Sequence, residues 1–211
     1  TRGVADRHAV WTKKLLTIGF LEGSSRLHER VLATARRWTS PTEGGANLRL
    51  EPASDAATAD IRIAFDPTGG SWSYVGTDAV TAAKKGKPTM NLGWATETTA
   101  ESAFASVVLH EFGHALGLLH EHNHPAAALK WKKDVVYADL GGPPNNWSRK
   151  TIDFNVFESY PANRVVMSPA MDRVSIMIYT IPSRWLDGQP GIMPSEKLSP
   201  GDIRFIRQLY R

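Results

Sequence analysis

The chain contains no cysteine. That excludes disulfides, Cys-x-x-Cys metal sites and thiol catalysis, but it does not fix a compartment. No apolar run is long enough to span a bilayer, which gives no reason to expect a membrane partner. There is no glycine-rich phosphate loop, no dinucleotide fingerprint and no nucleic-acid-binding motif. Internal repeats, low-complexity tracts and a linker to a second domain are also missing. The sequence does not begin with methionine and shows no signal peptide at Thr1, as expected of a mature fragment.

What is present suits one globular domain. The 211 residues are 42% hydrophobic and 22% charged, enough for a substantial core and too apolar for a disordered chain. The formal charge of +4 is small and spread out. Two basic clusters occur, Lys84-Lys85-Gly86-Lys87 and Lys130-Trp131-Lys132-Lys133. They read as a solvated loop and the face of a short helix rather than as a nucleic-acid surface.

The most informative stretch is His110-Glu111-Phe112-Gly113-His114-Ala115-Leu116-Gly117-Leu118-Leu119-His120-Glu121, the pattern HExxHxxGxxHE. Residues four apart share one helix face, about 5–6 Å apart at Cβ. His110 and His114 can therefore direct ring nitrogens at one metal, at about 2.0–2.1 Å. Glu111 lies one step round the helix, where its carboxylate misses the metal but reaches a water beside it. Gly117 tolerates positive φ and can end the helix, so His120 arrives from outside as third ligand. Three histidines leave a fourth position open, the arrangement of a catalytic Zn²⁺ rather than a structural one.

The extended pattern resembles that of the metzincin zinc peptidases. Ser175-Ile176-Met177-Ile178-Tyr179 resembles the SIMHY Met-turn of the astacin branch, and Trp72-Ser73-Tyr74-Val75-Gly76 resembles its WSYVG segment. The chain is thus identified as an astacin-like member, of a distant, bacterial type. It departs from animal astacins in lacking cysteine and in having Ile178 where they have histidine.

The resemblance implies an α+β catalytic domain over residues 1–211. Its upper part, about 1–117, would hold a mixed twisted sheet and two long helices. Its lower part, about 118–211, would be irregular, with a Met-turn and a C-terminal helix. Met177 would floor the histidines, and Tyr179 would hydrogen-bond the developing oxyanion. Glu121 would anchor structure near the N-terminus or the Met-turn. Trp72, Ser73, Tyr74 and Val75 would form the edge strand that binds substrate, and Arg184 would favour acidic side chains just beyond the cut. The implied activity is Zn²⁺-dependent endopeptidase cleavage of extended proteins or peptides, with water activated by Glu111. The implied setting is secreted, with an inhibitory pro-segment outside this chain as a further partner. Two other readings stay open on the residues: a zinc amidase of cell-wall peptides, and a zinc-bearing binding or toxin module without turnover.

Local patterns predict the elements. Strands are expected at 15–20, 47–50, 60–65, 72–75 and 88–94, and a helix at 24–38 with an apolar stripe of Leu27, Val31, Ala35 and Trp38. The zinc helix should begin near Thr98, whose spacing to Glu101 suits a capping box. Ser148 should cap a helix running to Phe157. Ser199, Pro200 and Asp202 start the last helix, docked by Ile203, Ile206 and Tyr210. His122 and His124 follow the motif without accompanying carboxylates or cysteines and read as exposed or structural histidines.

Overall fold

The computed structural model describes residues 2–81, 84, 86–193 and 195–211; Lys85, within the first basic cluster, lies outside them. Strand β1 is Val4–Asp6, β2 Leu15–Phe20, β3 Arg49–Pro52, β4 Ile61–Ala64, β5 Ser71–Ser73, β6 Met90–Leu92 and β7 Val165–Met167. Helix α1 is Ser25–Ala35, α2 Asp78–Thr81, α3 Glu101–Ala115, α4 Lys133–Gly141, α5 Arg149–Ile152 and α6 Pro200–Leu209. Five strands form a mixed sheet in the order β3-β2-β4-β6-β5. All neighbours run parallel except β5, which pairs antiparallel with β6 and forms an edge.

Sheet and helices meet where the alternating and helical apolar patterns face each other. Leu16, Ile18, Ile61 and Ile63 are fully buried against Val31, Ala35, Phe104, Val108 and Phe112. Ser24 caps α1 by accepting from the Leu27 amide. After a tightened turn at 36–38, the indole of Trp38 donates to the Leu109 carbonyl at 3.0 Å and ties the end of α1 to α3. The helix that carries the zinc motif is therefore braced along its length.

Several expected boundaries move. The β3 ladder starts at Arg49 rather than Asn47, because the Asn47 amide donates to the Tyr210 carbonyl instead. Helix α3 begins at Glu101, and the predicted Thr98 capping box is not formed. Glu101 is drawn into an ion pair with Arg30 at 2.8 Å, and Thr96 and Thr99 exchange hydrogen bonds with each other. The segment after Ser148 makes one α-turn and then widens into a π-turn over Asp153–Phe157. The ladder of β5 ends at Ser73, two residues short of the expected strand.

Gly117, at φ +90°, ends α3 as its glycine requires. It divides the secondary structure but not the core. Strand β1 pairs with β7 from the far end of the chain, and neither was expected. Phe205, Ile206 and Tyr210 join the same buried cluster as Trp11 and Leu116, and the Tyr210 hydroxyl donates to the Leu116 carbonyl at 2.8 Å. Among the described residues, no helix is long and apolar enough to cross a membrane.

The start of α6 does more than cap a helix. Ser199 and Asp202 form the expected reciprocal box. The Asp202 carboxylate also accepts from the Ser175 hydroxyl at 2.5 Å and the Ile176 amide at 2.9 Å, pinning the segment that leads to Met177. Ser199 in turn donates to Asp172, whose amide donates to Glu121. Asp202→Ala strips buried donors of their acceptor, each costing about 1–3 kcal/mol. Urea unfolding is expected to show a loss of about 3 kcal/mol or more; a loss under about 0.5 kcal/mol would remove this role.

Candidate metal centre and cleft

His110, His114 and His120 converge. The Nε2 of His120 lies 3.3 Å from that of His110 and 3.0 Å from that of His114. This is the group of three among the described residues whose ligand atoms could share a metal ion. His110 Nδ1 donates to the Ile176 carbonyl at 2.8 Å, and His114 Nδ1 donates to the Leu118 carbonyl at 2.9 Å. A carbonyl can only accept, so the proton sits on Nδ1 and each Nε2 presents a lone pair. Burial, reinforced by neighbouring rings, holds His114 down to about 3 and His120 well below its usual range. Neutral imidazoles oriented by carbonyls and aimed at one point are what a Zn²⁺ ion takes as ligands. The residues present fit the group.

Met177 and Gly113 explain each other. Met177 is 2% exposed and packs against α3 so closely that a Cβ at Gly113 would lie 2.2 Å from its Sδ. Only glycine on that face lets the sulfur sit beneath the helix that carries His110 and His114. Glu121 is 1% exposed; its amide donates to the Met177 carbonyl at 3.0 Å and its carboxylate accepts from the Asp172 amide at 2.7 Å. Arg2 reaches Asp172 at 3.8 Å, so the N-terminal stretch meets this network through Asp172.

Glu111 is buried on α3 and lines the cleft beside His110. Burial pushes its carboxyl up to about 8. The Tyr179 ring lies 4.3 Å from that of His120 and 5.9 Å from that of His110. Burial of its hydroxyl, then the nearby Glu111, raises its pKa and keeps it a donor.

Not every expected site residue reaches the cleft. Of the edge strand, Ser71 lines it, while Trp72 is 37% exposed beside Tyr74. Val75 lies beyond the ladder and packs against the small cluster of Val4, Leu119 and Val165. Arg184 is paired with Asp139 at 2.8 Å and is not among the lining residues, so its guanidinium is already committed. His122 and His124 are both buried, not exposed, and His122 lines the cleft. His122 Nε2 donates to the Asn155 carbonyl at 2.9 Å, and His124 Nδ1 accepts from the Ala126 amide.

Sequence reasoning missed Tyr160, whose hydroxyl accepts from the His120 amide at 3.3 Å. It also missed the orienting carbonyls of Ile176 and Leu118. Main-chain acceptors leave no trace in residue identity, so no signal could have revealed those two.

A sheet with an antiparallel edge strand, a braced helix presenting two histidines and a third histidine past a glycine turn define a zinc metallopeptidase. The sequence model of the astacin peptidase family matches residues 4–131, more than half of the chain. The chain belongs to the astacin family and is a zinc metalloendopeptidase. A solved structure of myroilysin is 34% identical, covers 99% of this chain and 98% of its own, and superposes with a TM-score of 0.92. A second, a crystal structure of myroilysin, is 33% identical over 97% of this chain and 86% of its own, with a TM-score of 0.70. The hatching enzyme zinc-protease high choriolytic enzyme 1 of the medaka fish Oryzias latipes shares the fold at 18% identity. Its TM-score is 0.60, over 96% of this chain and 94% of its own. No curated protein matches the chain.

Proposed function

We propose that the protein hydrolyses peptide bonds in extended protein or peptide segments, with Glu111 as general base and Tyr179 as oxyanion donor. The observation that supports this reading is that Glu111 and Tyr179 line the same cleft as His110, whose Nε2 converges with those of His114 and His120, and that the Tyr179 ring lies 4.3 Å from that of His120. Zn²⁺ held by those nitrogens would act as a Lewis acid, polarising the scissile carbonyl and making water more acidic.

The chain's own groups do the rest. Glu111 takes the proton of the attacking water and delivers it to the leaving amine. Burial favours the protonated carboxyl, which helps it hold that proton between the two transfers; an adjacent dication pulls the other way. Tyr179 donates its hydroxyl to the oxygen that gains charge. Among the described residues β5 lies at an edge of the sheet, where an extended substrate would bind by strand addition. Met177, Glu121 and Gly117 support the geometry and do not touch substrate. The family relation also supports an exported enzyme held latent by a pro-segment.

Tyr179→Phe removes one hydroxyl and keeps the ring beside His120. The expected result is a fall in kcat of about 10²-fold with KM changed only a few-fold, because the bond is made in the transition state. Steady-state kinetics on a fluorogenic peptide measures this, and an unchanged kcat would exclude Tyr179 from the chemistry.

A further inference from the structure

The cleft lined by His110, Glu111 and Tyr179 encloses about 560 Å³. Its apolar arm is lined by Trp131, Leu140, Trp147, Val156 and Trp185, which pack in one cluster, and by Ile178, which packs with Trp131 and Trp185. Three tryptophans share this wall, and main-chain contacts hold the segments that carry them. Trp131 bridges to Leu186, the Lys132 amide donates to the Trp185 carbonyl at 2.7 Å, and the Trp147 amide donates to the Leu140 carbonyl at 2.9 Å. The indole N–H of Trp185 donates to Asp139. Asp139 is held in turn by Arg184. The polar edge of Trp185 is thus satisfied by Asp139, and the Arg184 cation is neutralised there.

Charge decides what such an arm can take. Among the described residues lining the whole cleft there is no lysine, arginine or aspartate, and the one carboxylate is Glu111. An acidic side chain entering the arm would lose its hydration and find no lysine or arginine there to pair with. A large apolar side chain would shed its hydration shell against preformed apolar walls.

We propose that this arm is the specificity pocket for one substrate side chain beside the scissile bond, and that it selects large apolar or aromatic side chains and rejects acidic ones. The proposal rests on the peptidase reading above and deepens it. It assigns the acid-binding expectation for Arg184 a different outcome: Arg184 is a positioning residue for the Trp185 wall, acting through Asp139.

The test is cleavage of an equimolar peptide library by the zinc-loaded protein, followed by kinetics on paired peptides differing at one position. Phe, Tyr, Leu, Met and Trp are expected to be enriched at a single position adjoining the cut. The Phe peptide is expected to exceed its Asp partner in kcat/KM by on the order of 10²-fold. Thr180 lines the same cleft and is exposed, so Thr180→Lys brings an ammonium into the cleft without disturbing the core. It should shift the Phe-to-Asp ratio toward Asp by about tenfold or more. Trp147→Ala, in a half-buried wall position, should lower the Phe-to-Ala ratio by about tenfold. These ratios do not depend on how much of a variant is folded. A flat profile, acidic enrichment in the wild type, or ratios unmoved in both variants would overturn the pocket while leaving the peptidase intact. No zinc-dependent cleavage of any peptide or of casein would overturn the peptidase reading and this one together.

Discussion

Glu111→Gln is expected to keep its zinc and lose turnover by about 10²–10⁴-fold, the range of a positioned general base. Gln has the shape of Glu, so the packing of a side chain that is 7% exposed on α3 is retained. The metal would be held by His110, His114 and His120, none of which depends on Glu111 for a hydrogen bond. The amide cannot accept a proton from water at neutral pH, and that is the one function removed. Zinc content by mass spectrometry and casein or peptide turnover should separate the two properties. Full zinc with wild-type turnover would take the base assignment away from Glu111, and loss of zinc would show that the residue also builds the site.

Removing the metal is expected to have an effect at least as large. Dialysis against a chelator should abolish turnover, and adding Zn²⁺ back should restore it. Stability should follow, because a ligand that binds only the native state stabilises it in proportion to the logarithm of its concentration over Kd. A chelated sample should therefore melt several degrees lower. The folded frame should survive, since α3 is braced by Trp38 and the Met177 segment is pinned by Asp202 without any ion. Turnover that persists undiminished in excess chelator would mean the three histidines do not carry the reaction.

Much of the site was legible because its chemistry is local in sequence. Twelve consecutive residues hold the three candidate ligand histidines, the candidate base and the glycine whose φ of +90° swings His120 back. The last helix was legible for the same reason, since Ser199, Pro200 and Asp202 announce its start within four residues. What could not be read was long-range. Asp202 as the anchor of Ser175 and Ile176, Gly113 as the seat of the Met177 sulfur, and the pairing of β1 with β7 each join segments dozens of residues apart or more. The Thr98 box failed because Arg30, on another helix, offered Glu101 an ion pair. The Arg184 expectation met a similar competitor: the sequence places it soon after the Met177 segment, but only the fold shows Asp139 beside it.

The zinc environment itself is open to direct observation, by X-ray absorption or a crystal structure of the zinc-loaded protein. One ion per chain is expected, bound by the Nε2 atoms of His110, His114 and His120 at about 2.0–2.1 Å, with a remaining position taken by solvent. An ion held by fewer than three of these nitrogens, or enclosed by a fourth protein ligand, would refute the catalytic role assigned to the three histidines.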